Sequence, residues 1–252
     1  MLLELKNLSL NYGPKKVLKD VSFSLEKGEI VCIVGESGSG KSSILLSIIG
    51  LIPKQGIVSG SIKFEGKELI GLSEVEYLKL RGKKIGIVFQ EPSLYLDPLF
   101  KVKTQIMEAY TTHFGKAGAE ERVVETLKKV GVQDVERVLN SYPHQLSGGL
   151  KQRVCIAIAT VCDPSLILAD EPTTALDLTV QRKILGLFTK LKDEGKGIIL
   201  VTHDFGVVAE VADRVLVLKE GEVVESGSVW EIFDNPKHEY TKSLLSATYL
   251  KA

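Results

Sequence analysis

Three short stretches of this chain combine residue types at spacings that could do chemistry. The first is GESGSGKSS, comprising Gly35, Glu36, Ser37, Gly38, Ser39, Gly40, Lys41, Ser42 and Ser43. It lies between the apolar runs EIVCIV and ILLSIIG. Its pattern, Gly-x-x-x-x-Gly-Lys-Ser, is that of a phosphate-binding loop between a strand and a helix. Glycines let the backbone curl so that several N–H groups point at one anion, and the helix that starts near Lys41 adds its positive end. Lys41 would reach the β- and γ-phosphates of a nucleotide, and the Ser42 hydroxyl would ligate Mg²⁺.

The second stretch is LILADEP, Leu166 to Pro172. Four apolar residues predict a buried strand that delivers Asp170 and Glu171 at its carboxyl end, the edge where open α/β sheets bind ligands. Asp170 would hold Mg²⁺, through water, and Glu171 would orient and polarise an attacking water. Phosphoryl transfer chiefly needs such positioning and charge stabilisation. The third stretch is LSGGLKQR, Leu146 to Arg153. Ser147 caps a helix that Gly148 and Gly149 open, a second helix start suited to an anion. The first two together imply work on a nucleoside triphosphate.

The elements that must position these residues are legible in outline. Leu3, Leu5, Leu8 and Leu10 suggest a strand with one irregularity. Val21, Phe23 and Leu25 alternate with Ser22 and Ser24 as in a half-buried strand, and GSIKFEGKEL reads as a third strand, ended by Gly66. These predict a small antiparallel sheet. Ile30–Val34, Leu166–Ala169, Ile198–Val201 and Val215–Leu218 are apolar without alternation. Both their faces should be covered, as in a parallel sheet with intervening helices. Between Pro92 and about Val161 the character turns helical, with Val123, Val124, Leu127 and Val130 on one face.

Composition narrows the class. The 252 residues contain 32 Lys plus Arg against 32 Asp plus Glu, a net charge of zero that argues against a nucleic-acid partner. The opening MLLELKNLSLNYG carries charges among its leucines, unlike a signal peptide. The run ILLSIIGLI is far short of the roughly 20 residues that span a bilayer. Cys32, Cys155 and Cys162 form no CxxC pair and read as reduced, buried thiols of a cytosolic protein.

With LSGG on the page beside the other two motifs, the chain resembles the ATP-binding cassette (ABC) family over essentially its whole length. The resemblance implies an α/β fold: a P-loop NTPase (RecA-like) core with an N-terminal antiparallel β subdomain and an inserted helical subdomain. The expected boundaries are 1–91 for the first part of the core, 92–157 for the helical signature subdomain and 158–252 for the rest of the core with the tail. It implies ATP and Mg²⁺ as ligands, and two cassettes paired head to tail, the signature Ser147-Gly148-Gly149 of one closing on the γ-phosphate held by the other. Tyr12 falls where an aromatic ring stacks on adenine; a surface tyrosine at a strand end is the alternative. Gln90, in GIVFQEP, matches the loop glutamine that reaches Mg²⁺ and links the core to the helical region. Asp177, in TTALD, matches the loop that meets the opposite subunit. His203, after IILVT, matches the histidine on the γ-phosphate. Thr174 stands where serine is commoner, and both carry a hydroxyl.

QEPSLYLDPLFKV, YPHQLSGGLKQR and NPKHEYTKSLLSA are similar to the oligopeptide/dipeptide/nickel importer branch. That implies a second, different ATPase chain, two membrane permease subunits and an external substrate-binding protein, with this chain on the cytoplasmic side of the membrane. GGLKQR is more like the first ATPase of such pairs. Peptide and nickel both stand as cargo, and a non-transport ABC ATPase is the remaining alternative. Members with a longer, cysteine-bearing tail hold an iron–sulfur cluster; this chain runs to Ala252 without one, so no cluster is expected.

Overall fold

The protein is described here from a computed structural model, in which residues 1–249 are placed. In chain order the elements are β1 (Leu3–Tyr12), β2 (Lys15–Leu25), β3 (Ile30–Val34), α1 (Lys41–Ile48), β4 (Gly56–Phe64) and β5 (Lys67–Glu68). Then come α2 (Glu74–Leu78), β6 (Ile85–Val88), α3 (Pro92–Tyr95), α4 (Val102–Phe114), α5 (Ala119–Lys129), α6 (Val135–Asn140) and α7 (Gly148–Thr160). The remainder are β7 (Leu166–Asp170), α8 (Leu178–Asp193), β8 (Gly197–Thr202), α9 (Phe205–Val211), β9 (Arg214–Lys219), β10 (Glu222–Ser228), α10 (Val229–Asp234) and α11 (Glu239–Tyr249). Ala252, on which the expectation of a cluster-free tail rests, lies outside the described residues. No helix among the described residues is long and apolar enough to cross a membrane.

The chain forms two units, one of Met1–Tyr77 with the chain from Phe188 onward, the other Leu78–Leu187. In the first unit β1, β2, β4 and β5 make an antiparallel sheet in the order β2-β1-β4-β5. The irregularity in β1 is a bulge: Leu5 pairs with Phe23 but Leu8 pairs with Val21. One extra residue changes the parity, so Leu3, Leu5, Leu8 and Leu10 are all buried despite odd and even numbers. Asn7 takes the left-handed turn there at φ 48°, a conformation asparagine tolerates better than most residues. The strand expected in GSIKFEGKEL is β4, which starts earlier, at Gly56, and stops at Phe64 before the Glu65-Gly66 turn that leads into the separate β5.

The same unit holds β10-β9-β3-β8 side by side. β3 runs parallel to both β8 and β9, and all five of its residues are buried, as a strand covered on both faces requires. In the second unit β6 lies parallel to β7, with Val88 opposite Ala169. Helices α3 to α7 and the first part of α8 lie in the same unit. The inner face of α5 is Ala119, Val123, Thr126 and Leu127, with Val124 at its half-buried margin. Cys155 and Cys162 sit here too; burial pushes their thiols up to about 12 and about 11, so both stay protonated and unreactive at neutral pH.

Candidate nucleotide site

The phosphate loop begins at the carboxyl end of β3. Two of its glycines are required by geometry. A Cβ on Gly35 would lie 2.1 Å from the Leu218 carbonyl oxygen. Gly40, the residue before α1, has φ 105°, where side chains are strained, and a Cβ there would also meet Val17 and Leu18. Lys41, 6% exposed, is the first residue of α1 and folds back onto the loop. Its Nζ donates to the Gly35 carbonyl at 2.8 Å and to the Glu36 carbonyl at 2.9 Å. Glu36, Ser37, Gly38 and Ser42 are exposed, Ser43 is half-buried and Ser39 is buried. The Ser39 hydroxyl has no hydrogen-bond partner among the described residues. A curled backbone with a buried ammonium beside it and a hydroxyl left over fits a multiply charged phosphate group.

His203 leaves the neighbouring strand. Val34 is opposite Thr202 in the β3–β8 register, so the loop and His203 emerge from the same edge of the sheet. His203 is exposed and does not cap α9; that role falls to Asp204, whose Oδ1 accepts the Gly206 N–H at 2.7 Å. Tyr12 is the last residue of β1, paired with Lys15 and Gly56, its half-buried ring lying against Gly56.

In the second unit the register sets Gln90 and Glu171 just beyond the adjacent ends of β6 and β7. Gln90 Nε2 donates to Glu171 Oε2 at 3.2 Å, and the Thr174 hydroxyl donates to the same oxygen at 2.9 Å. The carboxylate is thus aimed by two neutral donors. Glu171 also has φ 44°, a left-handed backbone that costs a non-glycine residue on the order of 1–3 kcal/mol. Asp170, half-buried, ends β7. Sequence reasoning saw Thr174 only as a variant residue; its three-residue offset from Glu171 was the signal of its part in aiming the carboxylate.

Ser147 is the N-cap of α7, its Oγ accepting the Leu150 N–H at 3.4 Å, as LSGG led us to expect. Gly148 and Gly149 form the first turn of that helix. Asp177 is exposed, and its Oδ1 accepts the Val180 N–H at 3.0 Å, capping the start of α8. The structure therefore brings together Gln90 with Glu171 in one unit, and the phosphate loop with the edge bearing His203 in the other. Each of these sets can position phosphates or polarise a water.

Comparison with known proteins agrees. The family model described as ABC transporter matches residues 18–174. An oligopeptide transport ATP-binding protein, OppD of Lactococcus lactis subsp. cremoris, is 48% identical over 235 residues, covering 92% of this chain and 70% of that protein. The dipeptide transport ATP-binding protein DppD of Haemophilus influenzae is 46% identical over 252 residues, covering 97% and 76%. Among solved structures, a dimeric ATP-binding cassette bound to ADP and phosphate superposes with a TM-score of 0.78 at 35% identity, covering 90% of this chain and 99% of that one. The cbiO1 protein of Clostridium perfringens gives 0.80 at 30% identity, covering 99% and 95%. Likeness of this extent, on a chain whose three motifs stand at the strand and helix ends they need, has one meaning: the chain belongs to the ABC transporter family.

Proposed function

We propose that this chain is the ATP-hydrolysing subunit of an importer that takes up oligopeptides or dipeptides through the cytoplasmic membrane. The observation that carries the reading is the aimed carboxylate of Glu171, held by Gln90 and Thr174. A cassette that only bound nucleotide would have no need of a strained, twice-oriented base. The peptide cargo is favoured over nickel by the relatives, which are named for oligopeptide and dipeptide transport.

The roles follow from the chemistry of each group. The N–H groups of Gly35 to Ser43 and the Lys41 ammonium bind the triphosphate, and Tyr12 lies against the adenine. Ser42 in the first unit, and Gln90 and Asp170 in the second, each carry an oxygen of the kind that Mg²⁺ takes as a ligand. Held by such residues, Mg²⁺ would supply neutralisation of charge on the phosphoryl oxygens. Glu171 takes a proton from the attacking water, and His203 donates a hydrogen bond to the γ-phosphate. Ser147, Gly148, Gly149 and Asp177 act on the nucleotide of a second ABC ATPase chain, a partner of a different sequence. Ser147→Ala should cost about 1 kcal/mol of folding stability through the lost cap. In the assembled pair it should lower ATP turnover at least tenfold, and unchanged turnover there would remove the signature from the site.

The segment after Gln90 has the form of a docking surface for a membrane permease subunit. Leu94 and Leu99 are 74% and 78% exposed, beside exposed Tyr95 and Phe100. They are held out by a firm scaffold. Phe89 stacks on Tyr95 at 4.1 Å between ring centres, and Lys151 of the signature helix donates to Ser93 at 3.1 Å. Gln105 accepts the Asp97 N–H at 2.9 Å and donates to the Asp97 and Phe100 carbonyls. A pre-ordered apolar patch binds without first losing conformational freedom. Burial of two leucines contributes about 3–6 kcal/mol, so the Leu94→Ser/Leu99→Ser pair should abolish co-purification with the permease while basal ATPase stays intact. Retention of the complex would exclude this face.

The reading as a whole is tested with the assembled complex in proteoliposomes. Labelled peptide should accumulate only with ATP and the external binding protein, and Glu171→Gln should stop it. ATP-driven Ni²⁺ accumulation without peptide uptake would overturn the cargo assignment, and absence of ATPase activity would overturn the role.

A further inference from the structure

The tail motif NPKHEYTKSLLSA helped to identify the branch, but the nucleotide site as described makes no use of it. In the structure it reaches the phosphate loop. Tyr240, the second residue of α11, is 8% exposed, and its hydroxyl oxygen accepts the Glu36 backbone N–H at 3.1 Å. The two residues are 204 positions apart, and Glu36 lies inside the phosphate loop.

The tyrosine is itself firmly placed. The Glu225 carboxylate on β10 accepts the Lys237 N–H at 2.7 Å and the His238 N–H at 3.0 Å, which sets the chain entering α11. His238 Nδ1 then accepts the Tyr240 N–H at 3.1 Å. Lys219 Nζ stands 5.0 Å from the centre of the Tyr240 ring, a cation–π contact. Burial raises the hydroxyl's pKa, so at neutral pH it is the un-ionised group that accepts the N–H.

Two more contacts from the same stretch hold the loop. The Gly221 N–H donates to the Ser39 carbonyl at 2.9 Å, and the Leu218 carbonyl fills the space where a Gly35 Cβ would stand. Lys41 takes the Gly35 and Glu36 carbonyls. The peptide groups of the loop are therefore oriented one by one, and the chain from Leu218 to Tyr240 supplies three of the restraints.

We propose that Tyr240 is a positioning residue for nucleotide binding: its hydroxyl fixes the Glu36 peptide, holds the loop in its phosphate-ready curl and couples α11 to nucleotide occupancy. This rests on the reading of Gly35–Ser43 as the triphosphate loop. A loop ordered in advance loses less freedom on binding, so the restraint favours affinity rather than the chemical step. Coupling of this kind is reciprocal: nucleotide in the loop must steady α11 as much as α11 steadies the loop.

The test uses the full chain, with ATP and ADP as probes. Tyr240→Phe keeps the ring and the Lys219 contact and removes only the acceptor. One hydrogen bond of ordinary strength corresponds to roughly a three- to tenfold change. The dissociation constants for ATP and ADP and the KM for ATP should rise by that factor, with kcat at saturating ATP within about twofold of the parent. A purely structural role would lower the melting temperature or the active fraction, and hence kcat, while leaving KM in place; that pattern overturns the proposal. In the unsubstituted protein, hydrogen exchange at the amides of residues 239–247 should slow on adding ATP, and unchanged exchange also overturns it. Lys41→Ala separates the two levels. If Lys41→Ala binds ATP far more weakly than the parent and Tyr240→Phe binds like the parent, the tyrosine proposal fails alone; if parent and Lys41→Ala bind alike, the loop reading fails.

Discussion

Glu171→Gln protein should bind ATP about as tightly as the parent and turn it over on the order of 10³-fold more slowly, within the range general-base groups contribute. The substitution separates position from charge. A glutamine carbonyl in the place of Oε2 can still accept from Gln90 Nε2 and the Thr174 hydroxyl, so the side chain stays aimed. What it loses is the basicity needed to take a proton from water. The two effects are read by nucleotide titration and by phosphate release under single-turnover conditions. A second variant isolates the aiming: Thr174→Val keeps the carboxylate and removes one of the two donors, and a five- to tenfold fall in turnover, about 1–1.4 kcal/mol, is expected. Turnover within threefold of the parent in Glu171→Gln would show that the proton goes elsewhere, and the role of Glu171 would be lost.

Lys41→Ala should weaken ATP binding by roughly 100-fold, from loss of a charge-assisted contact of about 1.5–3 kcal/mol together with the loop order it maintains. The ammonium is buried and bonded to the Gly35 and Glu36 carbonyls, so alanine leaves two loop carbonyls without that donor and removes the positive charge from the cradle. Arginine restores charge but not function. The guanidinium is planar and wider than an ammonium, and it cannot reproduce the two bonds that the buried Nζ makes to the Gly35 and Glu36 carbonyls. Isothermal titration with ATP, alongside circular dichroism to establish folding, checks both variants. Undiminished affinity in a folded Lys41→Ala protein would mean that the loop is not the triphosphate site.

The parts of the site legible in the amino-acid order are those whose signal is local. The glycines of Gly35–Ser43 and the helix that begins at Lys41 announce the loop by type and spacing, although Leu218, Gly221 and Tyr240 then hold its curl. Ser147 caps α7 through the N–H of Leu150, three residues on. The buried strands β3, β7, β8 and β9 announce themselves as unbroken apolar runs. In all of these, the signal lies within a few residues, so type and spacing suffice.

Two strands were invisible for the opposite reason. β6 is four residues long and contains Gly86, whose missing Cβ lets the Ala159 carbonyl approach; a Cβ there would stand 2.2 Å from that oxygen. β10, EVVESGS, has no apolar alternation and is a strand because it pairs with β9. Its pairing partner, not its composition, makes it one.

By itself, then, the order of residues determined the chemistry available: a loop for phosphate, carboxylates at a strand end, a capped helix with two glycines, and the apolar runs that carry them. Tertiary structure alone decided the aim of those groups. Glu171 and its donor Gln90 are 81 residues apart, and Glu36 and Tyr240 are 204 apart. A hydrogen bond needs its two atoms within about 3 Å, and only the pairing of β6 with β7, and the return of α11 to the end of β3, bring such distant segments to that range.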